Sequence, residues 1–304
     1  MHRLLLTGGC GYIGSALTRR MISRSDVALT LLGRRNRNGL QEKSQSLQNA
    51  RLNYLQVDLA DPFDDRLLEG VECVIHLAGV LRFEGEQALR KNNILATRQL
   101  AQACLRKKKR FIFISTASVY GVPSVRDHES AGEISQLLCC PYAVSKRVSE
   151  LEIVELVGMG LDATIFRFGQ VYGYSNPMQY HTMLHAFLLR ACSSQPIRVW
   201  ENATYQVRPY LHLSDAVSVI EFLVARPLPG LHIFDCASQN LSTEDVIHRI
   251  AKVVPNVSIE FIEPPFGGVD SIELSCENIK NLGFEFRGNI DGAILEIIEN
   301  SLSS

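Results

Sequence analysis

The chain has 304 residues, 46% of them hydrophobic and 21% charged, with a net charge of −1. That length allows one large domain or two linked ones around a sizeable core. The charge balance excludes a whole-chain basic field for nucleic acid and an acidic disordered tail, and no apolar run reaches the length of a membrane span.

The chain opens on the apolar run Leu4-Leu5-Leu6, followed by Thr7-Gly8-Gly9-Cys10-Gly11-Tyr12-Ile13-Gly14. The run is too short for a signal-peptide core and passes straight into glycines, so it reads as a buried strand rather than a leader. The glycines fall at 8, 11 and 14. Gly8 suits the tight turn off the strand, Gly11 lets backbone approach a pyrophosphate, and Gly14 lets the following helix pack closely against the sheet. A helix opening at Tyr12 aims free N–H groups and its positive end at those phosphates. Ile13, Ala16, Leu17 and Met21 give it an apolar face.

A second strand is expected over 27–32, a polar loop to about Asn49, a third strand over 53–57 ending at Asp58, and a fourth over 73–79. A long helical pattern covers 86–105, and the cationic run 106–110 suits a helix C-terminus. A fifth strand spans 111–115, a helix follows Pro141, and a sixth strand spans 163–168. Continuous apolar strands alternating with helices predict an α/β, Rossmann-type, doubly wound parallel sheet. After Tyr172 the rhythm breaks. Helices are expected over 181–191, over 214–225 with Ser214 as N-cap, from Ser242, and over 291–302, with one strand at 231–234. The expected division is a dinucleotide-binding domain over 1–172, with 208–238 returning to it, and a smaller C-terminal substrate-binding α/β domain over 173–207 and 239–304.

Eight cysteines, at 10, 73, 104, 139, 140, 192, 236 and 276, form no CxxC pair and fit a reducing, cytoplasmic setting. His76, His128, His181 and His212 have no metal-ligand spacing, so no metal is expected and their reading is structural. Cys139 and Cys140 read as loop packing ahead of Tyr142.

Tyr142 and Lys146, in Pro141-Tyr142-Ala143-Val144-Ser145-Lys146, share one helix face. A nearby ammonium favours the phenolate, which is the requirement for a tyrosine that trades a proton near neutrality. A hydroxyl at a strand's carboxyl end completes such a site, and Ser115 or Thr116 supplies it.

With these motifs the chain resembles an extended short-chain dehydrogenase/reductase of the nucleotide-sugar epimerase/dehydratase family, over nearly its whole length. The resemblance rests on the glycine loop 8–14, Asp58-Leu59, Leu77-Ala78-Gly79, Asn93, the segment 115–121, Pro141 to Lys146, Arg167 to Gly173 and Arg208 to Ala216. It implies that Thr116 holds the substrate oxygen, with Ser115 as the rival; that Tyr142 is the acid/base; and that Lys146 binds the nicotinamide ribose and tunes Tyr142. Gly8, Gly11, Tyr12, Ile13, Gly14, Leu77, Ala78, Gly79 and Ser115 join the cofactor site, Asp58 and Leu59 flank adenine, and Asn93 lies near the active-site helix. Ser118, Gln170 and Arg208 join Thr116 on the substrate side.

Departures from the family pattern carry their own expectations. Gly33, Arg34 and Arg35 stand where many members end the second strand with an acid, and this favours NADP over NAD through a 2′-phosphate. Gln170 replaces a usual Asn, and Phe266 stands near where a phosphate-binding Arg is common. Related dehydratases carry a carboxylate pair directly after the catalytic hydroxyl; this chain has Ala117 and Ser118. The expected function is epimerisation of a nucleotide sugar through a transient keto sugar. The alternatives are an NADPH-dependent carbonyl reductase and a non-catalytic cofactor-sensing protein. Relatives pair the helices corresponding to 86–105 and 141–157 in a homodimer, and the same is expected here, with no nucleic-acid or membrane partner.

Overall fold

The computed structural model describes residues 1–34, 51–81, 85–121, 140–263 and 271–301. Arg35, His128, Cys139 and Phe266 lie outside the described residues.

The chain divides into two units. Unit 1 comprises Met1–Ser115, Cys140–Phe166 and Glu221–Ile233; unit 2 comprises Thr116–Cys139, Arg167–Ile220 and Phe234–Ser304. In chain order the elements that build the site are β1 (His2–Thr7), helix α1 (Tyr12–Ile22), β2 (Val27–Gly33), β3 (Leu52–Gln56) and β4 (Cys73–His76). Next come α2 (Glu86–Leu89), a π turn (Arg90–Leu95), α3 (Ala96–Lys107), β5 (Arg110–Thr116) and α4 (Pro141–Gly158). Strands β6 (Ala163–Phe168) and β10 (Leu231–Cys236) complete a seven-stranded sheet of order β10-β6-β5-β4-β1-β2-β3. The β1–β2, β1–β4, β2–β3 and β4–β5 pairs are parallel. The order reverses between β1 and β4, and in an open α/β sheet the crevice at such a reversal is where ligands bind.

Burial explains why these runs become strands. Leu4, Leu5 and Leu6 are all at or below 1% exposure, and Val74, Ile75, Phe111 and Phe113 are fully covered. A strand whose two faces are both covered must be apolar without alternation. The core of unit 1 packs Leu5, Val74, Phe111 and Phe113 against Leu100 and Cys104 of α3 and Ile153 of α4. The cationic run ends α3 as expected. Lys108 takes the left-handed conformation at the cap, Arg106 pairs with Asp65 at 2.7 Å, and Arg110 donates to the carbonyls of Leu223 and Val224.

Unit 2 holds three short strands that the sequence pattern did not reveal: β7 (Gln170–Tyr172), β9 (Val207–His212) and β11 (Gln239–Ser242), in the order β11-β9-β7. A second small sheet pairs β8 (Ile197–Trp200) with β12 (Ile259–Ile262) in parallel. Their core joins Phe187, Leu188, Ile197, Val246 and Ile294. Ser214 is not the N-cap that was expected. The helix Leu213–Val224 begins one residue earlier, and the His212 Nδ1 accepts the Ser214 N–H at 3.1 Å. The Ser242 expectation holds: its hydroxyl accepts the Asp245 N–H while the Asp245 carboxylate accepts the Ser242 N–H, a capping box.

One buried carboxylate anchors the late part of unit 2. Asp215 is 4% exposed and accepts from the Ser238 hydroxyl at 2.6 Å, the Gly288 N–H at 2.7 Å and the Arg287 N–H at 3.0 Å. Removing the acceptor leaves two backbone donors without it. Asp215→Ala is expected to lower stability by on the order of 3 kcal/mol, read as the midpoint of urea unfolding. A loss below about 1 kcal/mol counts against this anchor.

Candidate active site

The glycine loop is built on two close approaches. Gly8 has φ +72°, and a Cβ there would lie 2.7 Å from the Ala78 nitrogen. A Cβ on Gly14 would lie 2.1 Å from the Gly8 carbonyl oxygen, so Gly14 seats α1 on the turn itself rather than on the sheet. Gly11 is exposed, with its N–H on the Gly8 carbonyl at 2.9 Å, and only that carbonyl would meet its Cβ. No side chain caps α1, and its first turn carries no acidic residue. An open backbone cradle at a helix N-terminus fits a pyrophosphate. Tyr12 is buried and Ile13 half-buried in that first turn.

Beneath the loop runs a buried polar chain whose donors count in one direction. The Ala78 N–H donates to the Thr7 hydroxyl at 3.1 Å, and that hydroxyl lies 2.7 Å from His76 Nδ1. His76 Nε2 lies 2.9 Å from the Thr97 hydroxyl, which donates to the Asn93 carbonyl at 2.5 Å. Every group is satisfied if His76 is neutral with its proton on Nε2. Asn93 sits in the π turn, a distortion often found at functional sites. Its side chain accepts the Val80 N–H at 2.8 Å and donates to the Val80 carbonyl and to the Ser145 hydroxyl. Leu77, Ala78 and Gly79 are thereby fixed between the glycine loop and α4, with the Leu77 N–H on the Thr7 carbonyl at 3.3 Å.

Pro141 opens α4, where its fixed φ suits a first turn. Lys146 is 4% exposed. Its Nζ donates to the Ile114 carbonyl at 2.8 Å and lies 4.4 Å from the Phe113 ring centroid. A Cβ on Gly79 would lie 3.7 Å from that Nζ, so the ammonium faces the exposed Gly79 backbone at the carboxyl end of β4. Burial pushes Lys146 down to about 8, with the Glu150 carboxylate opposing. Burial pushes the half-buried Tyr142 phenol above its ordinary range. The sequence led to the opposite expectation for Tyr142. The reason is that the Lys146 ammonium is turned to the Ile114 carbonyl and the Phe113 ring, and crowding decides the direction for both groups.

The two candidate hydroxyls differ in kind. Ser115 is 3% exposed and donates to Glu150 at 2.6 Å. Thr116 is half-buried; its hydroxyl accepts the Ser118 N–H at 3.2 Å and pairs with the Ser118 hydroxyl at 3.3 Å. Ala117 and Ser118 follow it in a short turn.

The remaining sequence candidates are distributed as follows. Asp58 pairs with Lys91 at 3.4 Å, and its carboxyl is held below the usual range, first by the Ala60 N–H and then by Lys91. The Leu59 side chain is buried in the core. Arg34 donates to the Asn92 side chain at 2.9 Å. In unit 2, Gln170 pairs with Tyr210 in the sheet, and Arg208 donates to the Val207 carbonyl and the Gln206 side chain. Sequence reasoning missed a triad in unit 2: Tyr120, Arg167 and Asp235. The Tyr120 hydroxyl donates to Asp235 at 2.7 Å and accepts from Arg167 at 2.9 Å. It also passed over Glu150, although that residue falls one turn beyond Lys146 on the same face.

Residues 4–237 match the family described as "NAD dependent epimerase/dehydratase family". A trifunctional UDP-glucose 4,6-dehydratase/UDP-4-keto-6-deoxy-D-glucose 3,5-epimerase/UDP-4-keto-L-rhamnose-reductase from Arabidopsis thaliana is 27% identical over 97% of the chain, which spans only 46% of that relative. A UDP-N-acetyl-alpha-D-glucosaminuronate decarboxylase from Bacillus cytotoxicus is 27% identical over 87% of the chain and 84% of its own length. Among solved structures, a UDP-glucuronic acid 4-epimerase variant from Bacillus cereus, in complex with UDP-4-deoxy-4-fluoro-glucuronic acid and NAD, superposes with a TM-score of 0.81. It is 22% identical, with 96% of each chain covered. A dTDP-glucose 4,6-dehydratase from Bacillus anthracis in complex with NAD gives a TM-score of 0.80 at 18% identity, over 100% of this chain and 97% of its own. At that identity the superpositions establish the fold.

The buried His76 makes a pH prediction. Burial first, and the Lys146 charge second, push it down to about 3. An unfolded histidine takes up its proton near 6.5, so between about 6.5 and 3 the unfolded chain binds one more proton. Stability from this group is full above that window and is lost as pH falls through it, at about 1.4 kcal/mol per unit. Wild-type protein and His76→Gln, unfolded in urea from pH 6.5 to 4.5, should therefore differ in slope, with the variant flatter. Parallel curves would refute the neutral buried histidine.

Proposed function

We propose a specific chemistry for this chain, which belongs to the NAD dependent epimerase/dehydratase family: reversible oxidation of a nucleotide sugar that ends in epimerisation. One observation carries the reading. A buried ammonium, Lys146, faces the Gly79 backbone and the Ile114 carbonyl, one helical turn from a tyrosine, at the strand ends beside an open phosphate cradle.

The assigned roles follow from chemistry. The backbone of 8–14 holds the pyrophosphate, and Leu77, Ala78 and Gly79 line the path beyond it. A bound nicotinamide supplies hydride acceptance and return. Lys146, cationic below about pH 8, binds the ribose hydroxyls and adds positive charge beside the phenol. Tyr142, as the phenolate, would take the proton of the sugar hydroxyl as hydride leaves the same carbon, becoming the phenol, and would give the proton back after the keto sugar has turned its other face. Thr116 is assigned the substrate oxygen. Ser115 is set aside for that role because its hydroxyl is committed to Glu150. Ser118, Gln170 and Arg208 are assigned to the substrate side. The sugar-nucleotide class is supported by the UDP-sugar ligands and activities named for the relatives. A homodimer through the helical segments 86–105 and 141–157, in a reducing cytoplasm, completes the reading.

The cofactor proposed is NADP. Gly33 ends β2 with no carboxylate to take a ribose 2′-OH, and the adjacent Arg34 offers a charge-assisted contact to a 2′-phosphate. NAD is the second reading, supported by its presence in the structural neighbours. Titration of both cofactors decides between them. NADP should bind at least about tenfold tighter, and Arg34→Ala should remove that margin. Equal affinities, or tighter NAD, would overturn the preference.

The same arginine supports a second activity, net reduction of a keto sugar by NADPH. The two reactions differ in cofactor economy. An epimerase consumes no cofactor; a reductase consumes one per turnover. Purified protein with catalytic cofactor and a panel of nucleotide sugars should give an inverted sugar without net change in nicotinamide absorbance. Tyr142→Phe should slow this by about a hundredfold or more while cofactor affinity holds. Stoichiometric cofactor oxidation with a reduced product would replace the epimerase by the reductase. Accumulation of a 4-keto-6-deoxy sugar would contradict both, because Ala117 and Ser118 offer no carboxylate for elimination.

A further inference from the structure

We propose that Glu150 is a positioning residue for the Tyr142–Lys146 pair: it is the buried counter-charge of Lys146 and the clamp that seats their helix on the end of β5. This rests on the functional reading above.

Glu150 is 0% exposed. A carboxylate in that position is costly unless its oxygens are bonded and its charge is matched. One oxygen accepts from the Ser115 hydroxyl at 2.6 Å, and the other accepts from Arg147 at 3.0 Å. The Arg147 side chain is 34% exposed, so part of its charge is spent on solvent. Lys146 precedes Glu150 by one helical turn on the same face and is itself nearly fully buried.

The two bonds that α4 makes to β5 fall on consecutive residues. Lys146 Nζ takes the Ile114 carbonyl and Glu150 takes the Ser115 hydroxyl. Tyr142 stands one turn before the first contact on the helix. Tyr142 therefore inherits its position from this pair of bonds. Around Lys146 stand the Ile114 carbonyl, the Phe113 ring, the Gly79 backbone and neutral His76. Ser115 and Arg147 face Glu150. Glu150 carries the negative charge, and its field opposes the lowering of the lysine by burial.

Two variants separate charge from clamp. Glu150→Gln keeps the shape and an acceptor for Ser115 but removes the charge. Ser115→Ala removes the clamp and keeps the charge. The first readout is cofactor binding, by fluorescence titration with NADPH and NADH from pH 6 to 10. Wild-type affinity should fall on the alkaline side with a midpoint near 8, as Lys146 loses its proton. In Glu150→Gln that midpoint should move down by about one unit. In Ser115→Ala it should stay, while kcat falls about tenfold or more with little change in KM. Glu150→Asp, with charge kept and reach lost, should behave like Ser115→Ala.

Normal binding with an unmoved midpoint in Glu150→Gln overturns the counter-charge. Wild-type kcat in Ser115→Ala overturns the clamp, including where Glu150→Gln does not fold. Wild-type protein that binds neither cofactor removes the functional reading and this inference with it, so the two failures are distinguishable.

Discussion

The chain Ala78 N–H, Thr7, His76, Thr97, Asn93 is the constraint on which the site depends. It joins the end of β1, the end of β4, the π turn and, through Ser145, the helix α4. In a low-dielectric interior such a chain is either fully satisfied or expensive. Here its donors and acceptors close if His76 carries one proton. The benefit is rigidity where the chain would otherwise be loose: Leu77, Ala78 and Gly79 have left the sheet, and their position sets how near the Gly79 backbone comes to Lys146. The stacking of His76 on Phe111 and Phe113, at 5.9 and 5.8 Å, places the imidazole within the apolar core without exposing it to a second proton.

A second consequence concerns charge. The site collects one buried cation and one buried anion on successive turns of α4, and an open helix N-terminus at α1. The phosphate cradle needs no side-chain charge, because the first-turn N–H groups and the dipole provide it. The buried side-chain charges, Lys146 and Glu150, sit on α4 instead. Asp58 has its charge drawn to Lys91 and the Ala60 N–H.

Legibility in the sequence followed locality. The glycine spacing, the apolar strands and the Tyr142–Lys146 spacing are each encoded within a few residues, and the strands and helices expected in unit 1 were readable to within about two residues, except that β4 ends at His76, three residues before the expected 79. Strands β7, β8, β9, β11 and β12 were not. They are three to six residues long and lie in small sheets, where pairing rather than apolar run-length defines them. The partner choices of Arg34, Arg208 and Ser115 were illegible for another reason. Each has chemically plausible ligand roles, and only the fold shows the groups each already engages: Asn92, the Val207 carbonyl and Glu150.

The direction of the Tyr142 shift shows where spacing arguments stop. Four residues on a helix bring two side chains to one face, but they do not decide which way each side chain turns or what it gives up in solvation. Lys146 gives one of its proton donors to Ile114 and sets its charge against Phe113, so burial raises the phenol and lowers the amine at once. A proton shuttle working near neutrality therefore needs further positive charge at the phenol when the site is filled, and further negative charge behind the lysine to keep it cationic. Glu150 meets the second need from within the helix itself. Ser115 and Thr116, adjacent hydroxyls of nearly equal chemistry, differ in exposure: the buried one is bonded to Glu150 of the helix, and the half-buried one, bonded to Ser118, is the hydroxyl proposed for the substrate.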